Sequence, residues 1–152
     1  MKTLILISTI TCLVLFGCKK DSSTPAAPPV TPVINMLIYV NGNYAVAGIS
    51  GGIYFQNAQA TASGTLVELL IGTDPKTNEA LKGSLVVSGQ YFSIVEGDTA
   101  ANNVYISPGS SQTWYLSFNP RTTGNFRGTL TITHNATNMA SPIVATLYGT
   151  GD

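Results

Sequence analysis

The sequence predicts an all-β domain, an antiparallel Greek-key sandwich, and three observations carry that prediction. Short runs rich in Val, Ile, Thr, Tyr and Phe recur over residues 34–152, separated by Gly, Pro and Asn. No run of ten or more residues after the first seventeen repeats with helical periodicity. The stretch from Ser107 to Gly128 shows the pattern most clearly. There a Pro108-Gly109 turn feeds the alternating Trp114-x-Leu116-x-Phe118, Asn119-Pro120 stops it, and Phe126 to Ile132 alternates again after Thr122-Thr123-Gly124. This reads as a hairpin-like strand pair.

Taken in order, the first strand is expected over Ile34 to Val40, ending at Asn41-Gly42. That dipeptide between apolar runs marks a tight hairpin because both positions tolerate positive φ. Tyr44 to Ile49 would return, and Ile53-Tyr54-Phe55 would form a short third piece after Gly51-Gly52. In Thr65 to Thr73, Val67, Leu69 and Ile71 share the core face, because Glu68 marks the other face as wet. Leu66 and Leu70, on that second face, are expected to be buried against a neighbouring loop. Asp74-Pro75-Lys76 is turn chemistry. Leu81 to Ser88, Tyr91 to Val95, Val104 to Ser107 and Ile143 to Thr150 complete the strands.

Ahead of the domain, Met1-Lys2 precedes an apolar run from Leu4 to Phe16, about thirteen residues and too short to span a bilayer. This describes a secretory signal peptide over 1–17. Leu15-Phe16-Gly17-Cys18 resembles the lipobox of bacterial lipoproteins, which implies that Cys18 is lipidated and becomes the mature N-terminus. Several acyl chains would make a firm anchor, since one chain binds only marginally. Lys19 stands where enteric lipoproteins carry an inner-membrane retention Asp, so delivery to the outer membrane is expected. Residues 18–33 hold the lipidated cysteine and a Pro-rich linker, whose polyproline character would give a stalk of roughly 45 Å at about 3.1 Å per residue.

Composition excludes several functions. Charged residues are 9% of the 152 and the formal net charge is zero, so no basic stripe for nucleic acid is expected. Both cysteines, Cys12 and Cys18, precede the domain, which excludes a disulfide framework there. His134 is the one histidine and ends the Leu130-x-Ile132 face, so it reads as a rim of the core. A histidine- or thiolate-rich metal site is unavailable, and no cofactor is expected. Asp74 with Glu79, and Glu96 with Asp98, read as solvated turn residues, too sparse for a calcium loop. No catalytic residues are expected, nor a Gly-x-x-x-x-Gly-Lys phosphate loop. Trp114 is expected in the core, with Tyr115 on the opposite face.

The order of motifs carries a resemblance. Ile38-x-Val40-x-Gly42-Asn43, Gly48, Tyr54-Phe55, the alternating Thr65–Thr73, Ser88-Gly89-x-x-Phe92-Ser93-Ile94, Pro108-Gly109, Leu116-x-Phe118-x-Pro120, Gly124-x-Phe126-x-Gly128-x-Leu130-x-Ile132 and Leu147-x-Gly149-x-Gly151 occur in that succession. It resembles the choice-of-anchor D domain, which is similar to hydin-type Ig-like domains. Phe55-Gln56 replaces the family's Phe-Gly, and Asp74-Pro75-Lys76 its Asn-x-Gly. The resemblance implies an Ig-like sandwich of about seven strands, usually a non-catalytic unit, with no family set of functional residues to transfer.

The expectation is therefore a non-enzymatic cell-envelope lipoprotein presenting one Ig-like domain for protein–protein contact, in adhesion or assembly. The alternative is a carbohydrate-binding accessory lipoprotein, which predicts coplanar exposed tyrosines. Asp98-Thr99-Ala100 resembles the O-glycosylation site of exported proteins in Bacteroides-type bacteria, making Thr99 a candidate. Asn135-Ala136-Thr137 fits the eukaryotic sequon, but the lipobox argues for a bacterium and against its use.

Overall fold

In a computed structural model, residues 32–44, 49, 51–60, 64–97 and 100–152 are described. The signal segment, Cys18, most of the linker, residues 45–48 of the expected returning strand, and Thr99 lie outside the described residues. Over the described residues the domain is an all-β sandwich of two five-stranded sheets. In chain order the strands are β1 Met36–Val40, β2 Asn43–Tyr44, β3 Ile53–Tyr54, β4 Thr65–Thr73, β5 Leu81–Ser88, β6 Phe92–Gly97, β7 Val104–Ile106, β8 Ser111–Phe118, β9 Gly124–His134 and β10 Ile143–Gly151. One sheet runs β2-β1-β4-β8-β6 and the other β3-β10-β9-β5-β7.

Period-two alternation builds the core. Val67, Leu69 and Ile71 on β4 and Trp114, Leu116 and Phe118 on β8 are all buried, facing Leu130 and Ile132 on β9 and Leu147 on β10. Trp114 has no exposed surface, as its place in the alternation predicts. Asn41 and Gly42 both have positive φ, at 48° and 75°, so the Asn-Gly pair makes the tight turn between β1 and β2.

Four expectations are refined or corrected. First, β8 and β9 are not a hairpin, because they belong to different sheets. Both ladder edges of β8 are already taken, by β4 and β6, so β9 has no edge to pair with. Asn119 donates its N–H to the Tyr91 carbonyl at 2.9 Å, and Pro120 has no N–H to extend the ladder, so the chain crosses the sandwich.

Second, the expected seven strands are those of five residues or more, and among the described residues three short segments, β2, β3 and β7, of only two or three residues, join them. Third, the pairing is not wholly antiparallel. β3 runs parallel to β10, with Ile53 beside Leu147 and Tyr54 beside Tyr148. The parallel contact continues past β3 through Phe55 N–H to the Tyr148 carbonyl and Ala58 N–H to the Thr150 carbonyl. Fourth, Leu66 is not covered: it lies across from Ser117 and is 55% exposed, while Leu70 is half-buried.

Side-chain amides and hydroxyls fasten the loops. Asn138 pairs with the Met36 backbone in both directions at 2.9 Å, imitating a strand neighbour at the start of β1. Thr137 Oγ1 accepts from Ile34 N–H at 3.0 Å. Thr77 is buried and accepts from Asn35 N–H, which closes the 74–78 turn on the same strand entry. Among the described residues, every buried side-chain nitrogen and oxygen has a partner.

Candidate functional site

The outer face of the β3-β10-β9 half-sheet gathers aromatic and cationic side chains. Register places Tyr54, Tyr148 and Arg127 in one cross-strand row. The Tyr54 and Tyr148 rings are stacked, 4.7 Å between centroids and 9° between planes. The Arg127 guanidinium lies 5.4 Å from the Tyr148 ring centroid, a cation–π contact from the neighbouring strand. Tyr148 is thus held by both of its row neighbours, while Tyr54, on the edge strand, is 67% exposed. A Cβ at Gly52 would stand 2.6 Å from the Tyr148 ring and 2.8 Å from the Thr146 carbonyl, with φ at +82°. Only glycine lets the chain pass so close beneath the ring, so the turn before β3 helps fix the stack.

The stack borders a groove of about 620 Å³, whose polar lining is Asn57, Asn125, Thr150 and Arg127. Thr150 donates to Asn125 Oδ1 at 2.9 Å, which leaves the Asn125 amide N–H₂ directed elsewhere. Among the described residues, no carboxylate lines this groove.

The opposite sheet carries a smaller groove of about 350 Å³, walled by Leu37, Tyr39 and Leu70 with Glu68 at its side. Gly72, paired with Leu37 of β1 and Ser111 of β8, also lines it, and a Cβ there would come within 3.2 Å of the Ser111 side chain.

Other candidates resolve into structural roles. His134 Nδ1 accepts from Ala136 N–H at 3.2 Å, and Nε2 lies 3.2 Å from the Ala140 carbonyl. Those two contacts suit a neutral ring with its proton on Nε2. Burial is the main cause of a pKa held below 6.5, with the Ala140 contact opposing it. Since the unfolded chain then binds the proton more readily, this histidine's stabilisation is complete above about pH 6.5 and is lost as pH falls through the lowered folded value. Wild type should therefore lose urea resistance between pH 7.5 and 5 to a greater extent than His134→Asn. Parallel pH profiles for the two proteins would contradict the assignment.

Asp74 Oδ1 accepts from Lys76 N–H at 2.7 Å, a turn role. Asn135 is likewise engaged, accepting from Lys82 N–H at 2.7 Å and donating to the Ala80 carbonyl at 3.2 Å. Among the described residues, no three His, Cys, Asp or Glu side chains converge on a metal-sized site.

The sequence also contains one Gly-x-Ser-x-Gly spacing, Gly48-Ile49-Ser50-Gly51-Gly52. A nucleophile elbow needs a strand-to-helix turn, and Gly52 leads directly into β3. Ser50 itself lies outside the described residues.

No protein-family model matches this sequence. No curated protein matches it either. Its fold is similar to that of an ASH / PapD-like domain of human CEP192, with a TM-score of 0.52 at 12% identity, covering 99% of this chain and 98% of that one. A family 123 glycoside hydrolase from Clostridium perfringens gives 0.48 at 7% identity, over 78% of this chain and 27% of the enzyme. The CooA pilin subunit of enterotoxigenic Escherichia coli gives 0.44 at 11%, over 80% and 98%. At these identities only the first likeness carries weight, and what it shows is the fold: a PapD-like, Ig-like sandwich.

Proposed function

We propose that this protein is a non-catalytic, lipid-anchored envelope module whose Ig-like domain makes protein–protein contacts. The observation that carries the reading is the Tyr54–Tyr148–Arg127 row. Tyrosine and arginine supply most of the energy in many interfaces, and a row already held by stacking loses little entropy on binding. The carbohydrate alternative is less well supported. Sugar platforms present free ring faces, whereas one face of Tyr54 is spent on Tyr148, and Tyr148 is flanked by Tyr54 and Arg127.

The rest of the reading comes from the sequence. The Leu15-to-Cys18 lipobox supports lipidation of Cys18, and Lys19 supports the outer membrane. The succession of motifs supports kinship with choice-of-anchor D domains. Thr99 is the proposed O-glycan acceptor. No nucleic-acid partner, cofactor or metal enters this function.

Two experiments test it. Cys18→Ala should move the protein from the membrane pellet to the soluble envelope fraction, and protease shaving of intact cells then tells surface from periplasm. A photo-crosslinking residue at position 54 should give discrete protein adducts in intact cells that the same residue at exposed Glu79 does not. Absence of any protein adduct from position 54 would sink the contact reading.

A further inference from the structure

We infer that the groove beside Arg127 recognises an extended partner segment through one carboxylate seated on the guanidinium, while a neighbouring part of the segment packs on the exposed Tyr54 ring two strands away. The inference rests on the protein-contact reading and names the partner's chemistry. Arg127 is exposed, and its contact here is with an aromatic face, which orients the guanidinium without neutralising it. Among the described residues, no lining residue of the groove is a carboxylate. The charge is therefore left for a ligand, and a carboxylate is the group that a planar, forked guanidinium bonds best.

The wider charge balance limits that ligand to a local pairing. Over residues 32–152 the cations are Lys76, Lys82, Arg121 and Arg127, against Glu68, Asp74, Glu79, Glu96, Asp98 and Asp152, four against six. An acidic domain repels polyanions at a distance, so one carboxylate within an otherwise uncharged stretch fits better than an acidic run. The remaining lining suits a peptide. Asn57 and Asn125 offer amides able to bond a backbone, and Tyr54 at the sheet edge offers an exposed ring beside it.

The test uses the full-length protein in detergent micelles and a displayed library of extended decapeptides, with Glu, Gln and Lys varied at every position. Selection should enrich Glu over Gln at one position by about 10-fold, the factor that one charge-assisted contact supplies. Arg127→Gln should abolish that preference while keeping the wild-type thermal midpoint, and Tyr54→Ala should weaken selected peptides whether they carry Glu or Gln. Equal enrichment of Glu and Gln, or a preference that survives Arg127→Gln, overturns the inference. If position 54 still forms adducts in cells, the contact reading stands without it. Binding of an acidic oligosaccharide such as oligogalacturonate, with no peptide selected, overturns both.

Discussion

Phe118→Ala should cost about 3–5 kcal/mol, the range for truncating a buried aromatic, and lower the thermal midpoint by on the order of 10–20 °C. Phe118 has no exposed surface and sits at the centre of an aromatic cluster. Its ring stacks on Phe92 at 4.8 Å and meets Phe55 and Phe126 at 5.9 Å each. The ring also lies directly over Gly149 of β10, where a Cβ would come within 2.6 Å of it. That contact makes a second measurement decisive. Gly149→Ala alone overfills the slot and should cost about 1–3 kcal/mol, yet in the Phe118→Ala background the methyl enters the space just vacated. The double-mutant cycle should therefore show a coupling of roughly 1 kcal/mol or more by urea denaturation. Simple additivity would mean that the ring does not occupy the space above Gly149.

This cluster was half legible in the sequence. Alternation alone puts Phe118 on the inward face of its strand, and the same reasoning places Val67, Leu69, Ile71 and Trp114 correctly, because Glu68 identifies the wet face of β4. The partition into sheets was not legible. Inward residues of both sheets point at one core, so β8 and β9 give the same pattern whether they pair edge to edge or face each other across the sandwich. The deciding facts are the partners on either side of β8, set by pairings with β4 and β6 at long sequence separation.

The candidate site was still less legible. Tyr54 and Tyr148 meet because β3 joins β10 in parallel, and nothing near either residue announces that pairing. Gly51-Gly52 signalled a break, but its role beneath the Tyr148 ring depends on a residue near the far end of the chain. Loop anchoring by Asn138 and Thr137 was hidden for the same reason: polar residues in a connection look alike until their backbone partners on β1 are known. His134 was better predicted, since its place at the end of an inward-facing series already argued for a structural ring.

Gly83→Ala should be as damaging as the loss of a core side chain, although it adds only a methyl group. A Cβ at this position would lie 2.0 Å from the Thr133 carbonyl oxygen, and the obstacle is backbone of the adjacent strand, not a side chain that can turn away. Gly83 is held from both sides, paired with His134 on β9 and Val104 on β7. Close by, Ser84 and Thr133 share a hydroxyl hydrogen bond at 2.6 Å, and Asn135 bonds the Lys82 backbone in both directions. Relieving the clash means parting β5 from β9 where these contacts concentrate, so a loss of about 3 kcal/mol or more is expected, at the upper end for overpacking. Gly51→Ala supplies the control, because among the described residues no atom beyond its chain neighbours lies within 4 Å of its Cβ position. That variant should stay within about 0.5 kcal/mol of wild type. If the two alanine variants melt together, β5 and β9 are not as closely apposed at Gly83 as the clash with Thr133 requires.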